Sequence, residues 1–307
     1  MQRSGVDLST TIGEISLVSP VLTAAGTSGH GAELAAYFDL SRLGAIVVKS
    51  LAAGEVVGNP PPRVHPLPVG MLNSVGLQGP GVRRWLEEDL PDLESAGATV
   101  VASIWGRTVD EFAAAAGLLA QAPPCVVAVE VNVSCPNVED RGHMFAHSAT
   151  ATEEALDATD AARRPRWAKL SPNTPDLVEI AGAAIAGGAS ALILVNTLLG
   201  AAIDLERRAF TLGSGGGGVS GPALHPVAVR AVADVHSAYP TAAIVGVGGV
   251  TRAEDAIEFL LAGACAVEVG TATLADPRAP IRILDGIVRW CTRHRVHAVS
   301  DLIGGAK

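Results

Sequence analysis

The chain has no close cysteine pairs, no extended basic stretch and no long apolar run, and each shortage removes a class of function. Its four cysteines, at positions 125, 135, 265 and 291, show no CxxC or similar spacing, so neither a zinc site nor an iron–sulfur cluster is legible in them and no metal is expected. Cys125 and Cys265 sit in apolar stretches, where packing is the ordinary use of a thiol. The longest basic cluster is Arg163-Arg164-Pro165-Arg166, in a chain with 22 lysines and arginines against 31 aspartates and glutamates, a formal charge of −9. That is not the electrostatic footprint of a nucleic-acid binder. Apolar runs such as 191–196 fall far short of the roughly 20 residues that cross a bilayer, and the N-terminal stretch shows no basic segment followed by an apolar core. No membrane association and a cytoplasmic location are the expectations.

What is present is a large apolar inventory. The 307 residues are 49% hydrophobic and 17% charged, which suffices for a sizeable core and argues against disorder. Short β-branched runs alternate with alanine- and leucine-rich amphipathic segments along nearly the whole length, the pattern of repeated βα units around a parallel sheet. Eight strand candidates stand at Val21–Ala25, Ala45–Lys49, Thr99–Ile104, Val126–Val133, Trp167–Leu170, Ala191–Val195, Ala243–Gly246 and Ala266–Val269. Helical candidates lie at 31–39, 79–96, 109–121, 152–162, 175–187, 226–237, 252–262 and 279–293, with Thr174-Pro175 and Thr251 as caps. Eight of each predict an α/β fold, a single (β/α)8 TIM barrel. A short N-terminal hairpin is expected over 7–19, and residues 1–307 read as one domain without a linker or internal repeat. The alternative is an open doubly wound sheet. Against it, no GxGxxG turn follows the first strand, and the glycine-rich run Gly213–Gly221 lies late, inside a connection that stands before a helix.

In such a barrel the chemistry belongs to the C-terminal ends of the strands. Those ends read Lys49-Ser50, Asn132-Val133-Ser134-Cys135-Pro136-Asn137, Lys169-Leu170-Ser171, Asn196-Thr197, Gly246-Val247-Gly248-Gly249 and Gly270-Thr271, and the loop after the second strand adds Asn73 beside glycines. One lysine ending a strand is usually a surface residue whose stem lies on apolar neighbours. Two lysines and four asparagines converging on one rim need a polar ligand, because buried donors without partners are costly. Glycines after the seventh and eighth strands offer backbone N–H groups to a phosphate. A flavin mononucleotide (FMN) with a pyrimidine fits this set, since asparagine supplies both donor and acceptor to a ring of alternating N–H and C=O groups. Cys135 stands where a proton would leave that ring, and a thiol with a pKa near ~8.5 is a usable base.

In order along the chain, "DLSRLGAIVVKS", "GNPPPRV", "GMLNSVGLQGPGV", "EVNVSCPNV", "AKLSPNTPDLVEIA", "ILVNTLLGAAIDLERR", "GGVSGPALHPVAVR", "VGVGGV" and "VEVGTA" resemble class I dihydroorotate dehydrogenases, and more closely their B-type catalytic subunit, over about residues 7–290. The resemblance implies oxidation of dihydroorotate to orotate in pyrimidine biosynthesis, with hydride passing to one FMN per chain and Cys135 acting as general base. It places the substrate against Lys49, Asn73, Gly76, Leu77, Asn132, Asn137, Asn196 and Thr197. The flavin would lie against Ala25, Lys49, Ser50, Ser103, Asn132, Lys169 and Val195, with its ribityl and phosphate at Gly221, Gly248, Gly249, Gly270 and Thr271. It further implies a homodimer joined by a partner subunit carrying FAD and a [2Fe–2S] cluster that reduces NAD⁺. Two departures stand out: Ala25 and Ser103 occupy positions where relatives carry polar groups that touch the flavin. The segment "VEDRGHMFAHS" after the cysteine also departs from the B-type, leaving His143 and His147 as competing bases. Other readings remain open at this point: a different FMN-dependent pyrimidine oxidoreductase, a fumarate-linked A-type enzyme, a cofactor-free sugar-phosphate barrel, and a non-catalytic scaffold subunit.

Overall fold

The computed structural model describes residues 5–134 and 144–306. Cys135, Asn137 and His143 lie outside the described residues. Eight parallel strands form one sheet: Val21–Thr23, Ile46–Val47, Val100–Ile104, Val126–Asn132, Arg166–Lys169, Ala191–Leu194, Ile244–Val247 and Ala266–Val269. Numbered one to eight along the chain, their order in space is 1-8-7-6-5-4-3-2. A parallel bridge between Leu22 and Ala45 joins strand one to strand two and closes the barrel.

Successive side chains on a strand point to opposite faces, so alternate residues enter the barrel. Leu22, Val47, Val101, Ala128, Trp167, Ile193, Val245 and Ala266 form the interior cluster, and Ile12 and Leu17 join it from the N-terminal hairpin Thr10–Ile12/Ile15–Leu17. The hairpin thus closes the bottom of the barrel, helped by the Thr10 hydroxyl donating to the Cys265 carbonyl at 2.6 Å. The other strand face supplies Ile46, Val100, Val129, Ala168, Leu192, Ile244 and Val267, packed under the helices with Trp85, Phe112, Phe145 and Phe259. The barrel is filled with side chains, and its upper end is left for chemistry.

The helices differ from expectation where local chemistry intervenes. The segment expected to be helical over 31–39 forms two 3-10 turns, Glu33–Ala36 and Leu40–Arg42, because the Asp39 carboxylate accepts from the Ser41 N–H and opens a new turn. The segment 79–96 is two helices, Val82–Glu88 and Leu90–Ser95: Gly81 at φ +86° delays the start, and Pro91, lacking an N–H, interrupts the ladder. The fourth helix begins at Ala149 rather than at 152, capped by Ser148, whose hydroxyl accepts from the Ala151 N–H. Thr174 and Thr251 are not the caps they were expected to be, since the flanking residues are Asp176 and Arg252. Thr251 instead donates its hydroxyl and its N–H to the Asp255 carboxylate. Helices Val109–Leu119, His225–Ala238, Ala253–Ala262 and Ala279–His294 lie close to their expected bounds.

The sequence reading also missed a second sheet. Val64–Leu67, Gly70–Asn73, Gly216–Ser220 and Leu198–Ala201 pair antiparallel, drawing the loops after strands two and six into one layer. The glycine-rich run therefore contains a strand. Among the described residues no helix is long and apolar enough to cross a membrane.

Candidate functional site

The same alternation that fills the barrel builds the site. Two residues past the interior positions Val47, Val101, Ala128, Trp167 and Ala266 stand Lys49, Ser103, Glu130, Lys169 and Glu268, and Asn132 follows two further on. Ser103, Glu130, Asn132, Lys169 and Glu268 are all buried, forming a polar layer over an apolar one. Asn132 stands opposite Lys169 in the sheet register, and Ser103 opposite Glu130.

Their hydrogen bonds run in one direction. The Asn132 carbonyl oxygen accepts from the Ser134 backbone N–H at 3.2 Å, which fixes the orientation of the amide, and from Asn196 Nδ2 at 3.3 Å. Asn132 Nδ2 donates to Ser50 at 3.5 Å, Ser50 and Ser103 share a 2.8 Å bond, and Ser103 donates to Glu130 Oε1 at 2.8 Å. Because Ser103 spends its proton on Glu130, its oxygen accepts from Ser50, and the chain polarises from Asn196 toward Glu130. There it meets Lys169, whose ammonium lies 3.6 Å from Glu130 and 3.2 Å from Glu268. Burial opposes the charge on Lys169, yet the two carboxylates outweigh it and raise its pKa above the ordinary lysine value. Burial holds Glu268 well above the ordinary carboxylate range; Lys169 pulls the other way, and Glu130 adds to the rise.

Lys49 is different. Half-buried at the mouth, it is held below the ordinary lysine pKa by burial and then by the like charge of Arg63, and among the described residues it has no carboxylate partner. On the second sheet, Asn73 Nδ2 donates to the Gly218 carbonyl at 3.3 Å, and a side chain at Gly218 would collide with Thr197. Gly218 therefore borders both Asn73 and Thr197, whose N–H donates to Asn196 Oδ1 at 2.7 Å. Gly76 (φ +74°) and Leu77 (φ +55°) form the turn after Asn73. Gly76 must be glycine, because a Cβ there would overlap the backbone of Asn59.

At the far side of the mouth, Gly221 follows the second-sheet strand, Gly248 and Gly249 follow strand seven, and Gly270 precedes the short helix Thr271–Ala275. The backbone N–H groups of Gly248, Gly249 and Gly270 find no backbone acceptor among the described residues. The Thr271 hydroxyl donates to Ser220 at 2.8 Å and joins the two walls. Free donors at two adjacent strand ends are what a phosphate requires, so the residues fit a phosphorylated cofactor. Ala25 lies half-buried just beyond strand one and Val195 is buried beyond strand six. His147 is exposed at the end of the turn Phe145–His147.

Three residues that the sequence reading passed over belong to this region. Glu130 and Glu268 carried a usable signal: an acid at an inward position of an apolar parallel strand must find a cation. Asn173 carried none, since its role is tertiary. Its side chain donates to the Thr197 carbonyl at 2.9 Å and accepts from the Leu199 N–H at 2.9 Å, tying loop five to loop six. No group of histidines, cysteines and carboxylates among the described residues has the arrangement of a metal site.

The family sequence model described as dihydroorotate dehydrogenase matches residues 7–290. A protein of Desulforudis audaxviator (strain MP104C) named "Dihydroorotate dehydrogenase B (NAD(+)), catalytic subunit" is 45% identical over 302 residues, covering 98% of each chain. Proteins bearing the same name from Geotalea uraniireducens (strain Rf4) and Trichlorobacter lovleyi (strain ATCC BAA-1151 / DSM 17278 / SZ) are 42% and 43% identical, each covering 97% of both chains.

Proposed function

The chain belongs to the dihydroorotate dehydrogenase family, and from that premise we propose that it oxidises dihydroorotate to orotate in pyrimidine biosynthesis, using FMN held at the mouth of the barrel. The observation that carries the reading is the polar layer itself. Asn132 and Asn196 are oriented by fixed hydrogen bonds, Asn73 and Thr197 approach from the second sheet, and Lys49 is a half-buried ammonium without a carboxylate partner. A dihydropyrimidine ring with alternating N–H and C=O groups and an attached carboxylate is complementary to that set.

In this reading the asparagines, Thr197 and the turn at Gly76 and Leu77 hold the ring, with Asn137 adding a further amide, and Lys49 takes the carboxylate. The backbone donors of Gly221, Gly248, Gly249, Gly270 and Thr271 hold the phosphate and ribityl chain; Ala25, Ser50, Ser103, Lys169 and Val195 bound the flavin ring. The bound flavin would supply the two-electron acceptor for the hydride leaving C6. Cys135 takes the proton from C5, so that loss of one proton and one hydride converts the C5–C6 single bond into the double bond of orotate. Its place next to Ser134, whose N–H is tied to Asn132, supports that role, because the chain leaves strand four beside the substrate amides.

The relatives' name specifies NAD⁺ and a catalytic subunit, so a further subunit accompanies such chains. We take this subunit to carry FAD and a [2Fe–2S] cluster and to join a homodimer of the present chain. The decisive test replaces Cys135 with alanine in flavin-loaded protein. Flavin is expected to be retained while dihydroorotate oxidation falls by about 10²–10⁴-fold, and retention of most of the turnover would transfer the base to another residue, with His143 and His147 next in line. Rapid fumarate reduction by the chain alone would favour a fumarate-linked enzyme instead.

A further inference from the structure

Three ionisable side chains meet inside the barrel beneath the mouth: Glu130 on strand four, Lys169 on strand five and Glu268 on strand eight, with Lys169 between the two acids. Both carboxylates are 0% exposed and Lys169 is 5% exposed. The strands flanking strand eight set Val247 and Leu22 opposite Glu268, so the charged groups bearing on it are Lys169 and Glu130. Lys49 at the mouth is not among the charges bearing on Glu268.

Two ionised carboxylates against one ammonium would leave a net negative charge sealed away from water, which is costly for buried groups. A single proton removes it. Each acid keeps one buried oxygen without a hydrogen-bond partner, Glu130 Oε2 and Glu268 Oε1, but Glu130 is approached by two donors, Ser103 at 2.8 Å and Lys169 at 3.6 Å, whereas Glu268 is approached by Lys169 alone, at 3.2 Å, which makes Glu268 the acid less supported as a carboxylate. We propose that Glu268 is a positioning residue held as a neutral acid, so that Lys169 faces one negative charge rather than two and its ammonium remains effective toward the flavin ring at the mouth. This rests on the reading that the flavin lies beside Lys169.

The consequence is electrostatic. A ring that accepts hydride without a second proton becomes anionic. An ionised Glu130–Lys169–Glu268 cluster would repel that charge, whereas a cluster carrying one proton is neutral overall and presents a cation within it. Glu130, fixed by the Ser50–Ser103 chain, is then the standing negative charge, and Glu268 is the proton carrier.

Two measurements test this. In cofactor-free protein near neutral pH, infrared spectroscopy should show the C=O stretch of a protonated carboxylic acid that shifts in D2O, present in the parent chain and lost in Glu268→Gln. Its absence from the parent overturns the proposal, whether or not flavin binds. In flavin-loaded protein, Glu130→Gln, which removes the standing charge, should raise the flavin midpoint potential well above the parent's. Glu268→Gln, which exchanges a neutral acid for a neutral amide, should move it much less. Equal upward shifts would mean that both acids are ionised and would overturn the assignment, as would no shift from either. A chain that binds no flavin would instead refute the functional reading, and the infrared result would still decide where the proton resides.

Discussion

At the scale of single residues, burial separates the thiols. It pushes Cys265 up to about 11 and raises Cys125 and Cys291 as well, so all three are poor nucleophiles at mildly alkaline pH. Alkylation with iodoacetamide near pH 8 should therefore show one fast thiol, and that fast phase should vanish in Cys135→Ala. A fast phase surviving the substitution would contradict an activated Cys135. Lys49 gives a second expectation. A charged hydrogen bond contributes about 1.5–3 kcal/mol, so Lys49→Met should raise KM for dihydroorotate roughly 10–100-fold. Lys49 carries its charge below its folded pKa, and that pKa is depressed by burial and Arg63. Substrate affinity should accordingly fall with rising alkaline pH sooner than an ordinary lysine would dictate. Comparing KM across pH in parent and Lys49→Met checks this, since the variant should lack the alkaline loss. Lys49, Lys169, Asn132 and Asn196 were legible because they stand at the ends of apolar strands. Glu130 and Glu268 are just as visible in the sequence, but their importance appears only when strands four, five and eight enclose one lysine.

At the scale of elements, the described residues on either side of the stretch that holds Cys135 are tied to each other. The Ala146 N–H donates to the Val133 carbonyl at 2.9 Å, and the Thr152 hydroxyl donates to the Phe145 carbonyl at 3.0 Å. Phe145 is fully buried and meets Phe112 edge-to-face, with ring centroids 5.2 Å apart. Truncating a buried phenylalanine costs about 3–5 kcal/mol, so Phe145→Ala should lower Tm by several degrees in a thermal melt. Because Phe145 follows the stretch that holds the proposed base, kcat should fall as well, and a variant with lowered Tm but unchanged kcat would show that this packing does not bear on turnover. The barrel strands and most helices were legible from their period. The second sheet was not, because Gly70–Asn73 and Gly216–Ser220 lie far apart in the chain and carry no alternating apolar face, and their pairing is a property of two loops meeting over the mouth.

For the whole molecule, the expectation concerns electron flow. The described residues hold no metal-ligating cluster, and carrying electrons from a flavin to a separate nucleotide requires further cofactors. The isolated chain loaded with FMN should bleach on mixing with dihydroorotate yet reduce NAD⁺ only after the partner subunit is added. Stopped-flow absorbance at the flavin and NADH bands measures both, and rapid NAD⁺ reduction by the lone chain would remove the need for a partner.

What the sequence by itself determined is the barrel and the identity of the groups at its mouth. Strand period, strand count and the residues that close each strand are local properties, and in a parallel barrel the end of a strand is already an address. What only the tertiary structure decided is which of those groups act together. The one-way hydrogen-bond chain from Asn196 to Glu130 spans residues from four strands and their loops. The sharing of Lys169 between two acids spans three strands, and the meeting of Asn73 with Gly218 joins two loops far apart in the chain. Burial and pairing set the charge of each of these groups, and both come from distances that exist only after the sheet has closed.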